Sequence, residues 1–399
     1  MKKLISCSVL VLCFGMGSAL AKQHAPVREQ QGAPASMNEA HMKPNMRGDG
    51  PAIPESQPFK IVKYDSALDK IIAPDTRIEL LAGYFGLSEG PVWVPDGKQG
   101  YLVVADLIGN VLYRINPDHK VSVFLYKAGW FRNADYHDVG SQTRRGRTFV
   151  LMIGPNGTTL DAQGRLVWCA APEGKLMRLE KDGTRTVLSA GIDGKRFDGP
   201  NDVVMKSDGA FYMTDSNWGL RNRANSPYRQ LDYQGVFLIK NGKTSVLIKD
   251  TQLGAPQPNG IAFSPDEKYL YLSAGHALKR YVVKADDTID IDHPVTIART
   301  GAGDGQKVDT RGNIYTTSGA APGYVQITAP TGKILGRLML PVIGGEPKRQ
   351  ICATNVAFGD PDGKGLYITA CENVYKVRLR VPGILPGPAG IAQRAELKY

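Results

Sequence analysis

Short apolar runs alternate along this chain with polar, turn-forming clusters. One stretch shows the arrangement in full: a polar approach from Lys195 to Asp202, the apolar run Val203-Val204-Met205, the turn Ser207-Asp208-Gly209, and a second run from Ala210 that closes on Asp215. Apolar runs bounded by Asp-Gly or Pro-Asp punctuation predict β-hairpins. The arrangement returns five times. Glu89-Gly90-Pro91-Val92-Trp93 leads through Pro95-Asp96-Gly97 to Tyr101 and beyond, and Asn156-Gly157-Thr158-Thr159-Leu160 leads through Asp161 and Gly164 to Leu166-Val167-Trp168. Asn259-Gly260-Ile261-Ala262-Phe263, Asp304-Gly305-Gln306-Lys307-Val308 and Asn355-Val356-Ala357-Phe358 open the other three units, each followed by its own turn and second run.

Six units spaced about 45 to 70 residues apart indicate a propeller or solenoid, and units built only of short strands favour the propeller. The predicted fold is all-β: a six-bladed β-propeller of four-stranded antiparallel blades over residues 59–385. A chain of 399 residues could hold two or three domains, but closed all-β folds run longer as single units. One large domain is therefore expected.

In a propeller the innermost strand of each blade runs along a central channel, so the residue at its head converges with its five counterparts. Those ring positions hold Glu89, Asn156, Asn201, Asn259, Asp304 and Asn355. Every one carries a side-chain oxygen. Two carboxylates with several amide carbonyls suit one hard divalent cation, Ca2+ ahead of Mg2+ because amide oxygens and a roomy site favour it. Mn2+ and Zn2+ are further candidates, although Zn2+ prefers His or Cys and neither stands at these positions. Asn-Gly and Asp-Gly are common turn formers, so each residue alone reads as a turn; six in phase ahead of apolar strands read as a site.

Other motifs fit less well. Gly86-Leu87-Ser88-Glu89-Gly90 matches the G-x-S-x-G elbow of serine hydrolases, but that elbow needs a helix after it, and Pro91-Val92-Trp93-Val94-Pro95 reads as a strand. There is no H-E-x-x-H and no P-loop, and the acidic run Asp286-Asp287 to Asp292 lacks the glycine of an EF-hand loop.

Composition and charge place this domain in context. Lys2 and Lys3 precede an apolar run from Leu4 to Leu20, and Ala19-Leu20-Ala21 fits a signal peptidase site. Residues 1–21 are expected to be a signal peptide and the protein periplasmic or secreted. Gly15, Gly17 and Ser18 interrupt the run, which falls short of a membrane span, and no later segment could span a bilayer. Residues 22–58, rich in Pro, Met, Gln, His and Gly, predict a disordered linker, and residues 386–399 a surface tail. Removal of the signal leaves Cys169, Cys352 and Cys371. Cys352 and Cys371 are the better disulfide candidates, the alternative being three reduced thiols. The formal charge of +11 becomes +9 without Lys2 and Lys3. Its basic residues are scattered, with no stripe of the kind that binds nucleic acid, so the charge serves solubility and the steering of anionic small molecules. Two stretches, 126–148 and 219–234, depart from even spacing; loops of that size are expected to rise from one rim of the channel as functional lids or disordered segments.

Several of these motifs also carry a resemblance. Glu-Gly-Pro-Val-Trp at 89–93, Gly-Lys-Arg-Phe at 194–197 followed by Pro-Asn-Asp at 200–202, Pro-Asn-Gly at 258–260 with Ser-Pro-Asp-Glu at 264–267, and Asp-Gly at 304–305 resemble the gluconolactonase/regucalcin (senescence marker protein) family, nearest to its exported bacterial gluconolactonases. The resemblance covers roughly residues 59–380. It implies a six-bladed propeller with one divalent metal in the channel, hydrolysing sugar lactones such as glucono-lactone, as a monomer or weak dimer. Metal ligands are implied at Glu89, Asn201, Asn259 and Asp304, and a further channel asparagine at Asn156, while Asn355 takes no family role. The cation would polarise the lactone carbonyl and hold the attacking water, with Asp304 as the base that takes its proton. Arg196, Asp215, Asn217, Trp218 and the loop with Tyr136 and His137 are candidate contacts for sugar hydroxyls.

The chain also departs from the family pattern. Asp198-Gly199-Pro200-Asn201-Asp202 stands for the common Asn-Ser-Pro-Asn-Asp, Asp215-Ser216-Asn217-Trp218-Gly219 for Asp-Pro-Pro-Tyr-Gly, and Gly303-Asp304-Gly305-Gln306 for Pro-Asp-Gly-Met. Metal positions survive these changes; the pocket around them does not clearly do so. Alternative readings are a metal-dependent phosphotriesterase or arylesterase, a strictosidine-synthase-like propeller, and a non-catalytic ligand-binding propeller.

Overall fold

The computed structural model of the chain describes residues 55–132, 135–144, 148–255, 257–343 and 352–397. The expected signal peptide lies outside them, as does the linker as far as residue 54. Six antiparallel sheets stand around a central channel, each with its first strand innermost. The inner strands are Ser88–Asp96, Thr158–Leu160, Pro200–Met205, Ile261–Phe263, Gln306–Val308 and Asn355–Gly359, heading blades 1 to 6, and each borders the next around the ring.

The turn chemistry explains the hairpins. After the inner strand of blade 3, Gly209 takes φ +88°, which L side chains rarely adopt, and Asp208 accepts from the Ala210 amide at 3.1 Å. Blade 4 has no glycine there, and Glu267 takes the left-handed conformation instead. Second strands such as Phe211–Asp215 are buried throughout because blades pack on both their faces, whereas the outer strand Val121–Tyr126 exposes several residues. Aromatic pairs join neighbouring blades: Tyr212 meets Phe263 edge-on at 4.8 Å, Tyr315 meets Phe358 at 5.0 Å, and Trp93 stacks on Tyr367 at 5.5 Å. Such pairs contribute about 0.5–1.5 kcal/mol each beyond the area they bury.

Ring closure joins the two ends of the domain. Ile78–Ala82 pairs with Asn373–Arg378 as the outermost strand of blade 6. Lys60–Lys63 adds a fifth strand to blade 5, against Ile334–Met339, so that sheet exceeds the four strands expected of it. Within the expected linker, Glu55–Gln57 forms a strand that pairs with Val342–Ile343. Cys352 and Cys371 form a disulfide across the top of blade 6, their Cα atoms 5.5 Å apart, and Cys169 is free and buried.

The expected C-terminal tail is instead largely a helix, Gly387–Glu396. It lies under the end of the channel remote from the ring positions, where it lines a cavity with inner-strand residues such as Val92, Thr159, Val204, Phe263 and Phe358. Arg394 donates to the carbonyls of Ser264 and Pro265 at 2.7 and 2.6 Å, and Gln393 accepts from the Leu385 amide at 2.8 Å. Its weak helix formers hide it in the sequence; burial of Gly387 and Gly390 against the propeller holds it. No helix among the described residues is long and apolar enough to cross a membrane.

Candidate active site at the channel mouth

Each ring residue is fixed by its own blade. The Asn156 amide donates to the Cys169 carbonyl at 2.9 Å, Asn259 to Ser273 at 2.9 Å, Asp304 to Thr317 at 3.2 Å, and Asn355 to the Thr369 hydroxyl at 3.0 Å. The glycine that follows packs the residue against the next blade. A β-carbon on Gly90 would lie 2.9 Å from the Asn156 carbonyl carbon, one on Gly157 2.7 Å from the Asn201 carbonyl oxygen, and one on Gly260 2.8 Å from the Gly305 α-carbon; one on Gly305 would overlap the Asn355 side chain. Asn355 then donates to Glu89 at 3.2 Å and joins blade 6 to blade 1. Thus the Asn-Gly and Asp-Gly pairs act as spacers that let neighbouring ring residues meet.

The two ring carboxylates are short of positive partners. Glu89 is buried and, among the described residues, accepts from the Gly90 amide at 2.9 Å and from Asn355. Burial, with the Asp202 charge added, pushes its carboxyl up to about 7. Asp304 is half-buried at the head of its blade; burial and then the Glu89 charge hold it well above the usual carboxylate range, against a hydrogen bond from Asn259. The side-chain amides of Asn156 and Asn201 make no hydrogen bond among the described residues, although both residues are more than nine-tenths buried. Oxygen donors with unspent capacity around two uncompensated carboxylates fit a hard cation. Among the described residues no three His, Cys, Asp or Glu side chains gather tightly enough to hold a metal by themselves, so the amide oxygens would have to take part.

Two further residues belong to this site and were missed in the sequence. Asp202 is buried, accepts from the Val203 amide at 2.9 Å through one oxygen, and leaves the other without a hydrogen bond. Lys307 comes from blade 5, with its ammonium 3.8 Å from that free oxygen and 3.0 Å from the Gln306 carbonyl. The signal was present: Asp202 stands where four other repeats carry glycine, and Lys307 is a charge inside a buried strand.

The candidate sugar contacts separate. Asp215 is fully buried, and its carboxylate is spent on the amides of Asp198 at 3.0 Å and Gly199 at 2.7 Å, which shape the approach to Asn201; burial and the Asp198 charge push it up to about 8. It holds a loop and has no face toward a ligand, correcting the expectation that it contacts sugar. Asn217 is likewise buried, accepting from Gln257 at 3.2 Å. Arg196 donates to the carbonyls of Phe197 and Pro172 and lines a polar cleft of about 580 Å3 with Arg132, Asp138, Glu173, Lys175 and Tyr228. Trp218 packs near Leu87, Leu107 and Met152, with the Arg223 guanidinium 3.7 Å from its ring. Ser88 is buried, and its hydroxyl donates to the Cys371 and Asn373 carbonyls, which removes it as a nucleophile.

The two uneven stretches interlock on this face. Val139 pairs with Leu220, the Gly140 amide donates to the Gly219 carbonyl at 2.9 Å, and Arg221 donates to the Tyr136 and Val139 carbonyls. His137 meets Tyr228 edge-on at 4.8 Å. Together they build one side of the cleft.

The profile of the SMP-30/Gluconolactonase/LRE-like region family matches residues 87–372, a span that contains all six ring positions. The chain belongs to this family. Within the SMP-30/gluconolactonase family it is 32% identical over 340 residues to the gluconolactonase of Zymomonas mobilis, covering 81% of this chain and 87% of that one. It is 26% identical over 292 residues to the pentonolactonase of Haloferax volcanii, covering 71% and 81%. The solved structure of a gluconolactonase from Xanthomonas campestris superposes with a TM-score of 0.64 at 24% identity, over 83% of this chain and 98% of that one, and shares its fold.

Proposed function

We propose that this chain is a hydrolase of sugar lactones that works through one divalent cation held at the channel mouth. The observation that carries the reading is the pair Glu89 and Asp304, brought from the first and fifth blades into one ring with amide oxygens, in a chain of the SMP-30/gluconolactonase family. The relatives named for gluconolactone and pentonolactone hydrolysis support a sugar lactone as substrate.

Glu89, Asn201, Asn259 and Asp304 would hold the ion, Ca2+ for this donor set. When bound, it supplies a Lewis acid for the lactone carbonyl. The chain's own residues do the rest. Asp304 takes a proton from the attacking water as its oxygen adds to the carbonyl carbon, and returns that proton to the ring oxygen as the carbon–oxygen bond breaks, leaving the aldonic acid. The Asn156 amide has free donors for the substrate's hydroxyls, and Arg196 and Trp218 stand further out on the same face.

We also place the mature protein outside the cytoplasm. The pattern of residues 1–21 and the Cys352–Cys371 bridge support this; cell fractionation with N-terminal sequencing, expected to start at Lys22, tests it.

Activity is tested with protein stripped by chelator, refilled with Ca2+, Mg2+, Mn2+ or Zn2+, and assayed by pH-stat on glucono-δ-lactone and a panel of other lactones. Asn201→Ala and Asp304→Ala are expected to keep the fold and lose rate by about a hundredfold or more. Equal rates with and without metal would remove the reading.

A further inference from the structure

We propose that Lys307 sets the charge of the cage and, together with Asp202, makes it a site for a doubly charged ion; this rests on the cation reading above. The charges of Asp202 and Lys307 both act on Glu89, and those of Glu89 and Asp202 act on Asp304. Three carboxylates and one ammonium sum to −2 (three negative charges less one positive), the charge that one divalent ion cancels. A fixed countercharge of this kind tunes an oxygen site, because affinity follows the net charge of the groups around the ion.

Both residues are departures from the repeat, and they match each other. Four other repeats place Gly90, Gly157, Gly260 and Gly305 after the ring residue, and blade 3 places a carboxylate there. Three positions beyond the ring residue the other blades carry Val92, Thr159, Val204, Ala262 and Phe358, and blade 5 carries an ammonium. The pair spans the channel from blade 3 to blade 5 with 3.8 Å between charged atoms, and the Asp202 oxygen facing Lys307 is buried with no hydrogen bond. The pair is not closed at hydrogen-bond distance. Here Lys307 spends a proton on the Gln306 carbonyl instead. Its stem lines the cavity beneath the ring.

The test uses the full mature chain, freed of metal, titrated with Ca2+ and with Tb3+ by calorimetry and terbium luminescence. Wild type and Lys307→Arg are expected to show the same ratio of Ca2+ to Tb3+ affinity. Lys307→Met raises the cage charge to −3 and is expected to shift that ratio toward Tb3+ by about tenfold or more; Asp202→Asn lowers it to −1 and shifts the ratio the other way by a similar factor. The double variant Lys307→Met with Asp202→Asn restores −2 and is expected to return to the wild-type ratio, which loss of a merely structural pair would not do. A Lys307→Met ratio within about twofold of wild type, or a double variant that stays shifted, overturns the proposal. If Lys307→Met fails to fold, Lys307→Arg and Asp202→Asn decide it alone: an unshifted ratio in Asp202→Asn overturns it. A wild-type chain that binds neither ion overturns the cation reading itself, a distinct outcome because no ratio then exists.

Discussion

Glu89→Gln removes a charge that the metal-free protein cannot compensate. Folding raises the Glu89 carboxyl from its ordinary value of 4.5 to about 7, chiefly through burial. Below pH 4.5 both folded and unfolded chains hold the proton and the group costs nothing. As the pH rises through 4.5 the unfolded chain ionises first, and native stability falls until the folded group ionises near 7. The interval of about 2.5 pH units, at about 1.4 kcal/mol each, costs the native state about 3.5 kcal/mol above pH 7. Glutamine keeps an oxygen to accept from Gly90 and Asn355 and carries no charge, so the variant escapes this cost. With unfolding entropy of about 2.1 cal/mol/K per residue over roughly 340 residues, about 3.5 kcal/mol corresponds to a melting temperature about 5 °C higher. Thermal melts followed by circular dichroism in chelator should show that gap at pH 8.5 and a gap under about 1 °C at pH 4.5. Adding Ca2+ should raise the melting temperature of wild type well above its effect on the variant. A variant that melts below wild type at pH 8.5, or a gap that does not change with pH, would refute the reasoning.

Three other changes probe the parts that hold the ring. Gly260→Ala places a methyl group 2.8 Å from the Gly305 α-carbon; melts should show a loss of about 1–3 kcal/mol, and titration a weaker hold on Ca2+, whereas unchanged values for both would mean the glycine is no spacer. Truncation after Leu385 removes the helix under the channel and its Arg394 bonds to Ser264 and Pro265; the melting temperature should fall while the KM for glucono-δ-lactone stays within about twofold, since the ring lies at the far end. Cys371→Ser, or reduction of the bridge, opens a loop of 19 residues and should cost about 3 kcal/mol in chemical denaturation.

Local punctuation made the blades legible. Ser207-Asp208-Gly209 and its counterparts mark hairpins because turn geometry depends on a few adjacent residues, and the same periodicity brought Glu89, Asn201, Asn259 and Asp304 into phase. What lay hidden depends on contacts between distant parts of the chain. Ile78–Ala82 reads as an ordinary strand, and nothing near it says that its partner is Asn373–Arg378. Lys307 and Asp202 break the repeat pattern in the sequence, but that they meet is visible only once blades 3 and 5 face each other across the channel. The helix Gly387–Glu396 has poor intrinsic propensity and exists through packing, so residue-level preference pointed to a tail. Asp215 looked available because it ends a strand near the site, yet the amides of Asp198 and Gly199 claim both its oxygens.

The helix seated beneath the propeller gives the pore a floor, so the passage becomes a pit with its doorway at the ring. Traffic through such a doorway runs both ways. On the proposed function, a lactone descending to the ring would meet the aldonate climbing out, and that product carries a carboxylate which a bound cation would attract. Turnover in a pit of this shape should accordingly slow as aldonate accumulates, more steeply than in a pore that drains from below.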